Sequence, residues 1–197
     1  YAKEKYGSSE YMILDDNFTF NVVRAKVVCR DLIDQKISMK WTCPNGLRAD
    51  KLDDELMQLM AQAGCYSVSI GIESGDETVF ANIKKGEKLE DIVKTVKLAK
   101  KYKVRAEGFF IIGLPGSSVE AELRSMKFAE SLNLDSCIWN VLLPFPGTEV
   151  WKWVSNPDNA TIFMDWKKGV TYGEKPTPIF ETKTLSREQM VELFYMA

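Results

Sequence analysis

The sequence has 197 residues, 45% of them hydrophobic and 27% charged, with a formal net charge of -2 at pH 7. That length and composition fit one globular domain with a sizeable core, and the near-balanced charge gives no electrostatic ground for binding nucleic acid or an anionic membrane. There is no histidine, which excludes Ser-His-Asp chemistry, imidazole acid–base catalysis and the usual zinc and non-haem iron sites within this chain. No apolar run approaches a membrane span and no signal-peptide pattern opens the chain, so the expected location is cytoplasmic. The cysteines, Cys29, Cys43, Cys65 and Cys137, fall singly without a CxxC pair. They read as small buried hydrophobes rather than zinc ligands or a disulfide framework.

Taken in chain order, the first strand-like segment is YMIL (11–14), followed by ISMKWT (37–42). Leu56, Leu59, Met60 and Ala63 then make a helical stripe, and Gly64 is placed to end that helix in a left-handed conformation. The strand YSVSIGI (66–72) comes next, with Val68, Ile70 and Ile72 on one face and Ser67, Ser69, Gly71 and Glu73 on the other. A helix follows on Ile92, Val96 and Ala99, surrounded by lysines that gather toward its C-terminus, where the dipole favours cations. After VRAEGFFIIG (104–113), Ser117 and Glu120 have capping-box spacing ahead of another helix. The fifth strand is DSCIWNVLL (135–143). From 156 onward Pro, Asn and Gly punctuate the chain without a clean period, until Ser186 and Gln189, flanked by Leu185 and Met190, open a last helix.

Strands alternating with helices imply βαβ units and a parallel sheet, with ligand-facing residues at the strand C-termini. Those ends read DDNFTF, TCPNGLRAD, GIESGD, GLPGSS and PFPGTE. A doubly wound sheet buries both faces of its central strands in apolar packing. The Ser67-Ser69-Gly71 face suits a barrel lumen better. The expected fold is therefore α/β, a partial (β/α) TIM-type barrel over 1–155, with an irregular tail and C-terminal helix over 156–197.

The stretches ILDDNFTFN, CPNGLRADKLDDELMQLMAQAGCYSVSIGIESGDETVFANIKKG, FFIIGLPG and LLPFPGTEVW, in that order, resemble the radical S-adenosylmethionine (SAM) superfamily. Within it they resemble most the branch in which a cobalamin-binding domain precedes the barrel, represented by magnesium-protoporphyrin monomethyl ester cyclases and methyltransferases. The resemblance implies an iron–sulfur oxidoreductase or transferase that cleaves SAM reductively to a 5′-deoxyadenosyl radical. That radical serves cyclisation, methylation or oxidation of a small organic substrate, tetrapyrroles included. It also implies a [4Fe–4S] cluster, a reductant protein such as a flavodoxin or ferredoxin, and cobalamin in an upstream domain. The family's C-x3-C-x2-C cluster loop is not in this sequence, whose first strand resembles the family's second. The expectation is a downstream slice, inactive alone, with the cluster cysteines upstream and no metal ligand or catalytic residue within it. A degenerate, cluster-free homologue is the alternative.

The resemblance also assigns SAM contacts. Asp15, Asp16 and Asn17 fall where the methionine ammonium is received, although Asp16 or Asn17 could equally cap the following helix. Glu73 stands where an acceptor meets the ribose hydroxyls or the methionine moiety. Lys85, or Lys84 beside it, and Arg48 are candidates for the methionine carboxylate, Arg48 having a rival role in an ion pair with Asp50. Backbone at Ile111 and Gly113 would frame the adenine, and Asn140 and Pro144 the substrate side. Two other readings compete: a divalent-metal lyase on a (β/α) barrel using acids such as Asp16 and Glu73, and a non-catalytic barrel that binds a partner.

Overall fold

The computed structural model describes residues 1–197, the side chain of Ala2 excepted. Its elements in chain order are α1 (Ala2–Tyr6), β1 (Glu10–Met12), α2 (Val22–Asp34), β2 (Lys40–Leu47), α3 (Asp54–Gln62), β3 (Cys65–Glu73), α4 (Glu77–Asn82) and α5 (Leu89–Lys101). They continue with β4 (Arg105–Ile112), α6 (Val119–Leu132), β5 (Ser136–Val141), α7 (Glu149–Val154), β6 (Ala160–Ile162), β7 (Phe180–Thr182) and α8 (Arg187–Met196). Strands β1 to β5 form one parallel sheet in the order β1-β2-β3-β4-β5. That order never reverses, whereas a doubly wound sheet requires a reversal point. The fold is the partial (β/α) barrel expected from the sequence.

By contacts the chain divides into two compact units. The first comprises Tyr1–Gly71, Glu87–Gly108 and Leu132–Cys137. Here α2 packs on α3, and Lys26 of α2 reaches both Asp53 and Glu55 at 2.7 Å. Trp41 is fully buried with its indole N–H donating to Ala63 O at 2.9 Å. Gly64 has φ +95°, and a Cβ there would lie 2.0 Å from Met39 O. Both the turn and the close approach therefore demand glycine. Val68 and Ile70 are fully buried, each contributing about 1.5–3 kcal/mol of hydrophobic stabilisation.

The second unit comprises Ile72–Gly86, Phe109–Ser131 and Ile138–Ala197. Phe110 stacks on Trp139 with ring centroids 4.4 Å apart. Ile179, Phe180 and Met190 are fully buried, so the irregular C-terminal stretch supplies core side chains. It also contains the antiparallel pair β6–β7, which the sequence pattern does not reveal. Ser186 and Gln189 form the expected capping box of α8.

Three local expectations are corrected. Strand β2 lies over Lys40–Leu47, not 37–42: Trp41, Thr42, Cys43 and Leu47 take its buried positions, while Ile37 is exposed. The run Pro44-Asn45-Gly46 has turn composition, yet it is an irregularity within the strand, which regains β3 at Leu47↔Ile70. Proline has no N–H to give a ladder, and a bulge accommodates it. The hydroxyl at the start of α6 is that of Ser118, which accepts from Ala121 N at 3.3 Å, because Ser117 is drawn to Glu122 at 2.6 Å. Helix α2 is capped by Asn21, which accepts from Arg24 N, rather than by Asp16 or Asn17.

Candidate functional site

Glu73 ends β3 in a left-handed conformation with φ +68°. The Ser74 N–H donates to Ile72 O at 2.9 Å, closing a γ-turn about Glu73 of the rare, strained hand. A non-glycine residue in this region costs roughly 1–2 kcal/mol, and such strain collects at functional sites. The turn brings the Glu73 carboxylate to Lys85, with Nζ and Oε1 3.3 Å apart and the side chains 24% and 21% exposed respectively. Of the two lysines left open by the sequence, Lys84 is exposed and Lys85 is half-buried. An ion pair with this much solvent access is worth about 0–1 kcal/mol. This ion pair by itself therefore does not account for the strain.

The residues after Glu73 are built into the second unit. Gly75 has no room for a side chain, since a Cβ would lie 2.4 Å from Phe128 Cβ. Asp76 caps α4, accepting from Val79 N at 2.9 Å, and receives Arg124 Nε at 2.6 Å. Burial pushes the Asp76 carboxyl up, but these two partners outweigh it and hold the group below the ordinary carboxylate range. At the end of β4, Gly113 has φ +90° and its N–H donates to Glu122 Oε1 at 2.9 Å. Glu122 also receives Ser117 Oγ, and burial raises its carboxyl above the usual value despite both bonds. Ile111 is half-buried against Val79, Leu114 and Ala121. Asn140 is half-buried on β5 and Pro144 is buried.

In the first unit, Asp15 pairs with Arg24 at 3.0 Å and Asp16 is exposed. Asn17 Oδ1 accepts from Thr19 N and Thr19 Oγ1 at 3.1 and 3.0 Å, an Asx turn. Arg48 makes a two-point contact with Asp50, at 2.9 and 3.2 Å, and lies 3.6 Å from Glu87. Burial raises the Asp50 carboxyl, but Arg48 and Lys51 bring it down to about 2. The structural ion pair named as Arg48's rival role is thus present.

Glu122, Arg124 and Ser125 are the residues that sequence reasoning missed. Asp76 was missed too, although its spacing to Val79 in SGDETV marks an N-cap. The helix α6 partners carried no local signal.

Parallel strands that each end in a polar or Gly/Pro-rich loop define a (β/α)-barrel protein of the kind that binds ligand at its strand C-termini. The model of the radical SAM superfamily matches residues 1–129, and the chain belongs to that superfamily. It is 31% identical to an uncharacterized methyltransferase of Pyrococcus horikoshii over 98% of this chain and 40% of that protein. It is 22% identical to the anaerobic magnesium-protoporphyrin IX monomethyl ester cyclase of Rubrivivax gelatinosus, over 92% of this chain and 32% of the cyclase. In fold it is similar to the radical SAM methyltransferase TsrM of Kitasatospora setae, a structure with cobalamin and a [4Fe–4S] cluster bound. That match has a TM-score of 0.73 at 16% identity, over 98% of this chain and 39% of TsrM. The chain thus spans well under half the length of these proteins.

Radical SAM enzymes use SAM and a [4Fe–4S] cluster. The cysteines described here do not fit the cluster. Cys29, Cys43 and Cys65 are buried and Cys137 is exposed, and burial pushes the Cys29 and Cys43 thiols up to about 11 and 12 and Cys65 well above its usual value. Among the described residues, no group of three or more Cys, Asp or Glu is placed to hold a metal ion. No helix among them is long and apolar enough to cross a membrane.

Proposed function

We propose that this chain is the SAM- and substrate-contacting part of a radical SAM enzyme that methylates, cyclises or oxidises a small organic substrate. In this reading 1–155 is the barrel portion, 156–197 the tail, and the cluster ligands lie outside these residues. A flavodoxin- or ferredoxin-type protein supplies electrons. The observation that carries the reading is the Glu73–Lys85 pair at a strained strand end, in a chain of this family. SAM carries an α-carboxylate, an α-ammonium and two ribose hydroxyls, and it supplies the sulfonium whose reductive cleavage starts the chemistry. Lys85 would turn from Glu73 to the carboxylate, leaving the Glu73 oxygens to accept from the hydroxyls. Asp15, Asp16 and Asn17 are assigned to the ammonium, Arg48 to the carboxylate, Ile111 and Gly113 to the adenine, and Asn140 and Pro144 to the substrate side.

The test uses the native-length protein, reconstituted anaerobically with iron and sulfide. SAM binding is measured by equilibrium dialysis, and 5′-deoxyadenosine and S-adenosylhomocysteine after dithionite is added. Hydrogen bonds to charged groups are worth about 1.5–3 kcal/mol, so Glu73→Ala and Lys85→Ala should each weaken SAM binding by roughly 10- to 100-fold. Wild-type affinity in both variants would overturn the site. A folded wild-type protein that forms neither product would overturn the reaction.

A further inference from the structure

The strained turn at Glu73 needs something to hold it, and the proton bookkeeping beneath it identifies the holder. Ser74 and Ser125 are 2% and 1% exposed, and their hydroxyl oxygens lie 2.9 Å apart. Ser125 Oγ also accepts from Gly75 N at 3.0 Å and donates to Ala121 O at 3.1 Å. A serine hydroxyl has one proton. With that proton on Ala121 O, Ser125 can only accept from Ser74, so Ser74 is the donor of the pair. Ser74 Oγ in turn accepts from Asp76 N at 3.2 Å. Every member of this buried chain is then satisfied in one direction, running from the Asp76 N–H through Ser74 and Ser125 to the α6 carbonyl. Such a network is stiff because each bond polarises the next and no buried group can be released cheaply.

We propose that Ser125 is a positioning residue for SAM binding, holding the backbone of Ser74 and Gly75 so that the left-handed turn points Glu73 at the cofactor. The inference rests on the assignment of Glu73 to SAM. The Ser125 hydroxyl is bonded to Ser74, Gly75 and Ala121 and, in this assignment, does not reach the cofactor. It acts through the turn. Without its hydroxyl, the Gly75 N–H and the Ser74 hydroxyl lose a buried partner. The turn then relaxes toward the ordinary extended backbone that a glutamate prefers, which carries the carboxylate away from its place opposite Lys85. Arg124, paired with Asp76 one residue earlier on the helix, secures the far end of the same loop.

The experiment is a double-mutant cycle on SAM affinity in the native-length protein, read by equilibrium dialysis, with Glu73→Ala, Ser125→Ala and the double variant. Ser125→Ala should weaken binding about tenfold, the loss expected for one buried hydrogen-bonded group, and Ser125→Thr, which keeps the hydroxyl, should recover most of it. In the double variant binding should be no weaker than in Glu73→Ala alone, because Ser125 has no route to the cofactor except through that side chain. Multiplying losses would overturn the positioning role while leaving the Glu73 site standing. A Glu73→Ala variant with unchanged affinity would overturn the site itself, and the inference with it. Amide hydrogen exchange gives a readout independent of SAM: exchange at Gly75 should rise in Ser125→Ala relative to the β4 amides. Unchanged protection at Gly75 would also overturn the proposal. If Ser125→Ala does not fold, Arg124→Ala, whose side chain is 58% exposed, replaces it in the same cycle with the same two outcomes.

Discussion

The sharpest consequence of the Glu73 geometry concerns stability, and it inverts an ordinary rule. At most positions glycine is less stable than alanine by roughly 0.5–1 kcal/mol, because the unfolded glycine has more freedom to lose. At φ +68° any residue with a Cβ carries the left-handed penalty of roughly 1–2 kcal/mol, and glycine does not. Glu73→Ala and Glu73→Gly both remove the carboxylate and its pairing with Lys85, so that contribution cancels between them. Setting the relieved strain against the extra chain entropy, at the midpoints of the two ranges, leaves Glu73→Gly the more stable of the two by about 0.75 kcal/mol. For a domain of this size that difference corresponds to a melting-temperature gap of about 1.5–3 °C. The assay is thermal unfolding of the two variants side by side in one buffer, followed by circular dichroism. An alanine variant that melts at or above the glycine variant would refute the claim that the backbone at 73 is held against its preference. With that claim would go the inference that strain is kept there for a ligand.

Three further outcomes are expected. Gly64→Ala would place a Cβ 2.0 Å from the Met39 carbonyl oxygen at φ +95°; backbone must move to admit it, and a loss of about 3 kcal/mol or more, seen as a lowered melting temperature or insoluble expression, should follow. Thiol labelling at pH 8 of the folded protein, mapped by mass spectrometry, should modify the exposed Cys137 and spare Cys29, Cys43 and Cys65, whose protonated thiols become reactive only on unfolding; rapid labelling of any of those three would contradict their burial. Asp76 has its carboxyl held below the ordinary range in the fold, so its contribution is full above the unfolded carboxylate value near 3.8 and is lost as pH falls through the lower folded value. Arg124→Ala should therefore move the acid-unfolding midpoint upward, and an unmoved midpoint would show that the 2.6 Å contact adds nothing.

How far the sequence could be read depended on whether local chemistry and tertiary pairing agreed. Strands β3, β4 and β5 were legible because alternation, turn residues and length all pointed the same way. Strand β2 was misplaced because Pro44-Asn45-Gly46 carries turn chemistry that pairing with β3 overrides. No local preference encodes that competition. The helix start at α6 turned on two adjacent serines equally able to cap. The choice was made by Glu122, five residues beyond Ser117, which takes the Ser117 hydroxyl for itself. At the site, a carboxylate finishing β3 was visible in GIESGD, whereas its left-handed backbone was not, since nothing about glutamate favours positive φ.

The partners on α6 were invisible for a related reason, and they show how the second unit organises its loops. Glu122 and Ser125 are three residues apart and so project from the same side of one helix. One holds the Gly113 N–H after β4, and the other holds Ser74 and Gly75 after β3. Two strand ends, one of them carrying Glu73 at a φ that glutamate does not favour, are thus referred to a single rigid rod. Helical periodicity marks such residues only as polar interruptions of an apolar stripe, which is how a solvent-facing residue also looks. What separates the two cases is burial, 2% exposure for Glu122 and 1% for Ser125. A buried polar side chain on a helix face carries a desolvation cost that only a specific partner can offset. The partner must therefore be sought across the fold, in the loops whose unusual dihedrals need support.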